Sequence, residues 1–401
     1  MNEAGEAEHS GHHAGHPGRL ALPAVRALSP YAPGKPIAEL QRELGITDII
    51  KLASNENPYG PAPATLAAMH AALEQVWLYP DGSCHELKAA LASHLGVAAE
   101  CLTIGNGSND LLMLLAEAFL TGGLSAVYSQ YGFAIYPLVI RETGARAIEV
   151  PALARASDMP LGHDLTAMAA AIRHDTRLVF IANPNNPTGT WASSAALERL
   201  LETVPPSTLV VLDTAYFEYG RERGIEDAQP WLAEHPNLVL LRTFSKAYGL
   251  AGARVGYALS HPEVADVLNR LRPAFNVNAI AQAGAIAALQ DSAHMQRAVE
   301  ATMREQARVT AAIRQMGLWS APSAANFVLV QVGAHAAQIF RALLERGIIV
   351  RPTGGYGLPE CLRISIGLPA HNDRLLAALA ELTKQPALPQ PAPPAAAAGA
   401  R

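Results

Sequence analysis

The stretch "LVLLRTFSKAYGLAGARVGYAL", residues 238–259, places one lysine and one arginine with small residues between two apolar runs. The runs, Leu238–Leu241 and Val255–Leu259, have the length and composition of buried strands. Only about a dozen residues join them, which leaves little room for the helical crossover that parallel strands generally need. The stretch therefore predicts two antiparallel strands, with Lys246 in the connection between them.

Upstream of Lys246, short apolar runs alternate with helical patterns. The runs "RLVFIA" (177–182), "STLVVLD" (207–213) and "NLVLLR" (237–242) are nearly continuous in apolar residues, as in strands that are buried on both faces of a parallel sheet. The Ala/Leu-rich segment Ser193–Thr203 between the first two predicts a helix, and hence a βαβ unit. The predicted fold class is α/β, with a mostly parallel mixed sheet and one antiparallel strand after the lysine.

The chain divides into five predicted segments. Residues 1–25 form a tail rich in His, Gly and Ala, and residues 385–401 form a tail of Pro and Ala. Residues 26–75 are predicted to be an N-terminal arm with part of a small domain, and residues 76–275 to be the large domain. Residues 276–384 repeat an α/β pattern and predict a smaller C-terminal domain.

Composition excludes several classes of protein. The 401 residues, half of them hydrophobic, are enough for a large core, and the net charge of −5 favours neither nucleic acid nor a membrane as partner. The 3 cysteines are widely separated, so a disulfide framework and a zinc site are not expected. No apolar run is long enough to span a bilayer, and the N-terminus does not resemble a secretory signal. We expect a cytoplasmic protein, with no metal held by the N-terminal histidines, because no fold arranges them as ligands.

Polar residues follow each of the three upstream strands. Because ligands bind beyond the carboxyl ends of strands in open α/β sheets, these residues form a candidate site. Taken singly, each has an ordinary structural explanation as a turn residue, a helix cap or a solvated lysine. Taken together, they bring an amide, a carboxylate, a phenol, two hydroxyls and an amine to one edge of the sheet. These residues are Asn186, Asp213, Tyr216, Thr243, Ser245 and Lys246.

Pyridoxal phosphate requires such a set of groups, namely a lysine, a carboxylate facing its ring nitrogen and a site for its phosphate. Asp213 would hold the ring nitrogen protonated, and Tyr216 and Asn186 would hydrogen-bond the phenolic oxygen of the ring. "GNGS" (105–108) opens an apolar helix whose free N–H groups suit a phosphate, and Arg254 would add a fixed charge. A nicotinamide site is less favoured, since "GNGSND" lacks the third glycine of the dinucleotide fingerprint.

Three motifs in this order, "NPNNPTG", "LDTAYFEY" and "SKAYGLAGARVG", resemble those of the fold-type-I aminotransferases. The resemblance extends from about residue 29 to residue 382. "SPYAPGKP", "KLASNENPYGP", "LYPDGS" and "CLRISIG" are similar to the histidinol-phosphate aminotransferase branch of that family. One departure is that Asn109 and Asp110 replace an acidic pair found in many relatives.

The resemblance implies roles for the cofactor-binding residues. Lys246 would form the Schiff base, with Asp213, Tyr216 and Asn186 around the ring as described, and Tyr131 would stack on the ring. Tyr79 would reach the cofactor of the neighbouring subunit, which implies a homodimer. The residues expected to hold the cofactor phosphate are Gly107, Ser108, Asn109, Thr243, Ser245 and Arg254.

The resemblance also implies a substrate site and a reaction. Arg363 would bind the substrate carboxylate beside Asn55, and Tyr31 and Arg351 would contact the far end of the substrate. The implied reaction is ping-pong transfer between histidinol phosphate and 2-oxoglutarate, which gives imidazole acetol phosphate and glutamate in histidine biosynthesis. Alternatives are an aminotransferase for phenylalanine or tyrosine, a decarboxylase of a phosphorylated amino acid, and a non-enzymatic α/β binding protein.

Overall fold

The computed structural model describes residues 17–30 and 33–384. Within them the chain forms 13 strands and 14 α-helices, with five short 3₁₀ turns. The strands are β1 Ile50–Lys51, β2 Leu102–Gly105, β3 Ser125–Ser129, β4 Arg146–Val150, β5 Thr176–Ala182, β6 Leu209–Asp213, β7 Leu238–Thr243, β8 Gly256–Ser260, β9 Trp319–Ser320, β10 Phe327–Gln331, β11 Ile348–Ile349, β12 Arg351–Pro352 and β13 Cys361–Ser365.

The helices alternate with these strands over most of the chain. They are α1 Pro23–Arg26, α2 Ile37–Leu44, α3 Pro63–Leu73, α4 His85–Leu95, α5 Ser108–Phe119, α6 Ile135–Glu142, α7 Leu165–Ala170, α8 Ser194–Thr203, α9 Phe217–Gly220, α10 Pro262–Leu271, α11 Ala279–Gln290, α12 Ser292–Gln315, α13 Ala336–Glu345 and α14 Pro369–Lys384. No helix of the described residues has the length and apolar character needed to cross a membrane.

Seven strands form the central sheet, in the spatial order β2-β8-β7-β6-β5-β3-β4. Strands β3 to β7 are mutually parallel, whereas β8 runs antiparallel to both of its neighbours, β7 and β2. Thr243, at the end of β7, faces Gly256, at the start of β8. The predicted antiparallel strand after the lysine loop is therefore confirmed.

The continuous apolar runs reflect burial of the sheet on both faces. Along β5, Val179 and Ile181 belong to one core cluster, and Leu178 and Phe180 belong to the other. Successive side chains of a strand point to opposite faces, so a strand covered on both sides needs apolar residues at every position. Helix α5 packs on one face together with α6 and α10, and α4 packs with α11.

A second α/β unit follows the central sheet. Strands β12, β13, β10 and β9 form an antiparallel sheet, and α12, α13 and α14 pack around it. Strand β1 from the N-terminal region pairs in parallel with β11, so Ile50–Lys51 lies with this C-terminal unit. The chain therefore crosses from the C-terminal unit to the central sheet before it reaches β2.

The packing departs from the predicted segments at α3 and α11, which were assigned to the N-terminal arm and the C-terminal domain. The two helices pack against each other, and Met69 of α3 and Ala281 and Ala285 of α11 join the core of the central sheet. A helix belongs to the core that its apolar face covers, which the sequence pattern alone does not specify. The end of the predicted N-terminal tail, residues 1–25, also differs from the prediction, because Pro17–Leu20 forms a 3₁₀ turn and α1 is helical. Residues 1–16 and 385–401 lie outside the described residues.

Candidate active site

A cavity of about 240 Å³ lies at the carboxyl ends of β5, β6 and β7. The lining contains 12 of the predicted site residues, contributed by both α/β units and by the segment after β1. These residues are Asn55, Ser108, Asn109, Asn186, Asp213, Tyr216, Thr243, Ser245, Lys246, Arg254, Arg351 and Arg363. The fold therefore brings residues that are far apart in sequence together at the carboxyl ends of the strands, where ligands were expected to bind.

Lys246 is a buried amine in this cavity. Its Nζ donates a hydrogen bond to the backbone oxygen of Ser54 at 3.1 Å and lies 5.7 Å from the centre of the Tyr216 ring. Burial, followed by the positive charge of Arg363, lowers the pKa of Lys246 to about 8. A larger fraction of this lysine is therefore neutral near pH 7 than of an exposed lysine, and a neutral amine can attack an aldehyde carbon.

Asp213 ends β6 and presents its carboxyl group to the same cavity. Oδ1 accepts a hydrogen bond from the Ala215 backbone N–H at 3.1 Å, and Oδ2 accepts one from the Tyr136 hydroxyl at 3.1 Å. Burial raises the pKa of Asp213 to about 6, against these two hydrogen bonds, which lower it. A cation placed next to this carboxyl group would offset the cost of ionising it, and a protonated pyridine nitrogen is such a cation.

Tyr136 is a site residue that the sequence analysis missed. It lies in α6, is fully buried and stacks on Phe180 with ring centroids 5.1 Å apart. Its apolar neighbours and helical position are those of an ordinary core residue, so the pattern alone did not distinguish it. Only the packing of α6 against the sheet places its hydroxyl on Asp213.

Replacing Tyr136 with phenylalanine is expected to weaken cofactor binding and to lower kcat, each about tenfold, because a charge-assisted hydrogen bond is lost. The pKa of Asp213 should rise, so the acid limb of the kcat profile should move to higher pH. Tyr128→Phe is the control, since it removes a hydroxyl that donates to Glu149 away from this cavity. An unchanged pH profile in Tyr136→Phe would contradict the assignment.

Tyr216 and Asn186 also line this cavity. The hydroxyl of Tyr216 accepts a hydrogen bond from Asn55 Nδ2 at 2.9 Å, and burial raises the pKa of this phenol. Asn186 Oδ1 accepts a hydrogen bond from Arg363 Nη1 at 2.5 Å. Both side chains therefore line the cavity and are oriented by other polar residues of the site, although their predicted role toward a ring oxygen stays a prediction.

Arg363 lies on β13 and is only 5% exposed. Its Nη2 donates to the backbone oxygen of Ala53 at 2.5 Å, and its Nε has no hydrogen-bond partner among the described residues. A buried donor without a partner is costly, and a bound anion would satisfy it. Arg351 on β12 is the direct cross-strand neighbour of Arg363 and also lines the cavity.

The start of helix α5 and the Arg254 side chain form the other end of the cavity. Arg254 Nη1 donates to Ser245 Oγ at 3.2 Å and to the Ala251 oxygen at 3.1 Å. Gly107, which precedes the helix, has a φ of +86°, and a Cβ there would lie 2.4 Å from Arg254 Nη2. Glycine is thus required for the close approach of the guanidinium group to the helix start. A helix N-terminus, an arginine and the hydroxyls of Thr243 and Ser245 suit a phosphate dianion.

Four predicted residues remain. Gly107 lies beside Arg254 at the start of α5, whereas Tyr131 and Tyr79 are not among the residues that line the cavity. The Tyr131 side chain packs against the cluster that contains Leu161, Leu358 and Cys361, while Phe133, which the sequence analysis did not single out, lines the cavity instead. Tyr79 is 83% exposed and stacks on Phe275 at 4.7 Å. Tyr31 lies outside the described residues. The ring-stacking role of Tyr131 therefore has no support from its position and stays a prediction.

The groups in the cavity fit pyridoxal phosphate, since they supply an amine, a carboxylate and a phosphate site. The described residues contain no cluster of His, Cys, Asp or Glu that could hold a metal ion. The N-terminal histidines of the sequence analysis, His9, His12, His13 and His16, lie outside the described residues.

Comparison with known proteins gives consistent matches over most of the chain. The family model for aminotransferase class I and II matches residues 47–381. Histidinol-phosphate aminotransferase 2 of Pseudomonas fluorescens (strain Pf0-1) is 51% identical over 362 residues, 90% of this chain and 96% of that protein. Histidinol-phosphate aminotransferase 1 of Cupriavidus pinatubonensis is 52% identical over 365 residues, with 90% and 96% covered.

A solved structure is similar over nearly its whole length. The crystal structure of histidinol-phosphate aminotransferase from Sinorhizobium meliloti in complex with pyridoxal-5'-phosphate is 34% identical, with a TM-score of 0.83, and the match covers 91% of this chain and 98% of that one. The fold-type-I architecture predicted from the motifs is confirmed. The chain belongs to the aminotransferase class I and II family.

Proposed function

We propose that this chain is a pyridoxal-phosphate-dependent histidinol-phosphate aminotransferase of histidine biosynthesis. It would exchange the amino group of histidinol phosphate with 2-oxoglutarate, which gives imidazole acetol phosphate and glutamate. The observation that carries the proposal is one cavity in which a buried lysine amine and a buried carboxyl group lie between a phosphate site and two arginines. The relatives of that name, about half identical over 90% of the chain, support the choice of substrate.

Different side chains of the cavity have different roles in amino transfer. Bound pyridoxal phosphate supplies an aldehyde that captures amines and a ring that stabilises negative charge at the substrate Cα. Lys246 Nζ would hold the cofactor through its aldehyde, and the free Lys246 amine would accept the proton from the Cα of the amino donor. Asp213 would keep the ring nitrogen of the bound cofactor protonated, because a buried carboxylate is stabilised by an adjacent cation.

The far end of the cavity selects anionic substrates. Arg363 and Arg351 are opposite each other on neighbouring antiparallel strands, so their side chains project from the same face of the sheet. Glutamate and 2-oxoglutarate carry two carboxylates, and histidinol phosphate carries a phosphate and no carboxylate. We assign Arg363 to the substrate carboxylate, and Arg351, with Tyr31, to the phosphate of the donor.

Replacing Arg351 with alanine is expected to lower kcat/KM for histidinol phosphate about 100-fold, because a charge-assisted contact to the phosphate is lost. With phenylalanine or tyrosine as donor and 2-oxoglutarate as acceptor, the change should stay within about threefold. Arg351→Lys, which keeps the charge without the planar fork, should lie between these values. Equal losses with all three donors would contradict the phosphate role. A wild-type enzyme that prefers phenylalanine or tyrosine would support an aromatic aminotransferase instead.

A homodimer in the cytoplasm is part of the proposal. Trp77 and Tyr79 expose 78% and 83% of their surfaces, and Tyr79 stacks on the half-exposed Phe275. Such exposed aromatic side chains favour contact with a second copy of the chain. In the dimer, Tyr79 would reach the phosphate of the partner's cofactor. The cysteines of the chain, Cys84, Cys101 and Cys361, are all unpaired, which agrees with a reducing compartment.

A further inference from the structure

The turn that precedes helix α5 is held from outside the cavity by a carboxylate in the first turn of that helix. Asp110 Oδ2 accepts a hydrogen bond from the Asn106 backbone N–H at 2.8 Å and a second from Asn276 Nδ2 at 2.9 Å. Asp110 is not among the residues that line the cavity. It therefore fixes the turn without contacting whatever the cavity binds.

Asn276 is itself anchored at several points. Its Nδ2 also donates to the Ile104 oxygen at 3.3 Å, and its Oδ1 accepts from Arg272 Nη1 at 2.7 Å. Arg272 Nη2 donates in turn to the Gly82 oxygen at 2.7 Å. The Asp110 carboxylate is thus one end of a hydrogen-bonded chain that reaches the segment carrying Tyr79.

The turn needs such support because its own sequence allows many conformations. Gly105 and Gly107 flank Asn106, and the N–H of Gly107 donates to the Gly105 oxygen in a tight turn, at 2.8 Å. Two glycines in three residues lose much backbone entropy when they are ordered. The first N–H groups of α5 point where this turn directs them, so the precision of the phosphate site depends on the turn.

We propose that Asp110 and Asn276 are positioning residues for the cofactor phosphate, which act by holding the turn at residues 105–108 in its binding conformation. The inference rests on the proposed function, in that the ligand at the start of α5 is the phosphate of pyridoxal phosphate. The Asp110 charge itself opposes a nearby dianion, so the benefit comes from its acceptor oxygen and not from its charge.

The test compares two ligands that differ only by the phosphate. The full-length protein, stripped of cofactor, is titrated with pyridoxal phosphate and with pyridoxal, and binding is followed by absorbance. Asp110→Ala should raise the Kd for pyridoxal phosphate at least about tenfold and change the Kd for pyridoxal by less than about twofold. Asp110→Asn keeps an acceptor oxygen and should bind pyridoxal phosphate within about threefold of wild type.

Two further variants keep the test decisive. Asn276→Ala should reproduce the phosphate-specific loss, and the double variant should be no weaker than Asp110→Ala, because both act on one turn. Asp164→Ala is the matched control, since Asp164 also accepts a backbone N–H at a helix start, that of Ala167, away from the cavity. Equal weakening of both ligands, or no weakening, would overturn the inference. A wild-type protein that binds neither ligand would refute the proposed function instead.

Discussion

Replacing Lys246 with alanine is expected to lower kcat at least about 10⁴-fold, because the residue both holds the cofactor and moves the substrate proton. The variant should still bind pyridoxal phosphate through the residues around α5 and Arg254, but it should release the cofactor on denaturation after treatment with borohydride. In the wild-type protein, the same treatment should fix the cofactor to the chain, and peptide mapping should locate it at Lys246.

The pKa of Lys246 adds a pH dependence to this result. Since burial lowers this pKa to about 8, the neutral amine becomes the main form of the cofactor-free protein above that pH. The rate of cofactor capture should therefore rise between pH 7 and 9, with a midpoint near 8, as followed by visible absorbance. Lys384→Ala, at the exposed end of α14, should leave the activity, the borohydride product and the pH profile unchanged. Full activity in Lys246→Ala would refute the proposed mechanism.

Replacing Asp213 with asparagine has the second largest expected effect, a loss of about 10³-fold in kcat. The amide cannot hold a proton on the cofactor ring nitrogen by charge, so the bound cofactor loses most of its capacity to accept negative charge. A steady-state assay with histidinol phosphate and 2-oxoglutarate measures the loss. A variant within about tenfold of wild type would show that another group protonates the ring.

The same substitution should stabilise the cofactor-free protein at neutral and alkaline pH. The pKa of Asp213 is about 6 in the folded chain, against 3.8 for an ordinary aspartate, because burial disfavours the charged form. The folded state thus binds this proton more tightly, and the stability so gained is present below pH 3.8 and lost as pH rises through about 6. The amide does not ionise, so its advantage over the carboxyl group grows through this range.

Urea unfolding of the two cofactor-free proteins at pH 4 and pH 8 measures this effect. The free energy of unfolding of Asp213→Asn relative to wild type should increase by about 2.5 kcal/mol between the two pH values, the equivalent of a little under two pKa units. Asp164→Asn, at the half-buried start of α7, is the control and should show no comparable gain. If the difference in unfolding free energy between variant and wild type were the same at pH 4 and pH 8, burial would not raise the pKa of Asp213. The site would then be more polar than its geometry indicates.

Much of the site was predictable because parallel strands end at a common edge. The runs before Asn186, Asp213 and Lys246 identify three such strands, so their polar ends must lie near one another. The short connection between β7 and β8 also specified the antiparallel strand, since a parallel return would need a longer crossover. Arg363 and Arg351 belong to another sheet, and only the resemblance to relatives connected them with the cavity.

Residues that act through side-chain packing were not predictable. Tyr136 and Asp110 have the patterns of a core aromatic residue and a first-turn acid, and nothing in their spacing reveals that one contacts Asp213 and the other Asn276. The assignment of α11 to the central sheet likewise depends on which neighbour its small residues fit.

The amino-acid sequence by itself determined which strands are buried and end in polar residues. It also determined the position of the lysine between antiparallel strands and the set of groups at the sheet edge. These properties are local, because strand burial and connection length are set by nearby residues. The tertiary structure alone decided the lowered pKa of Lys246, the raised pKa of Asp213 and the contact of Tyr136 with Asp213. Burial and charge proximity are properties of the whole packed chain, since the groups that exclude water from each side chain come from distant segments.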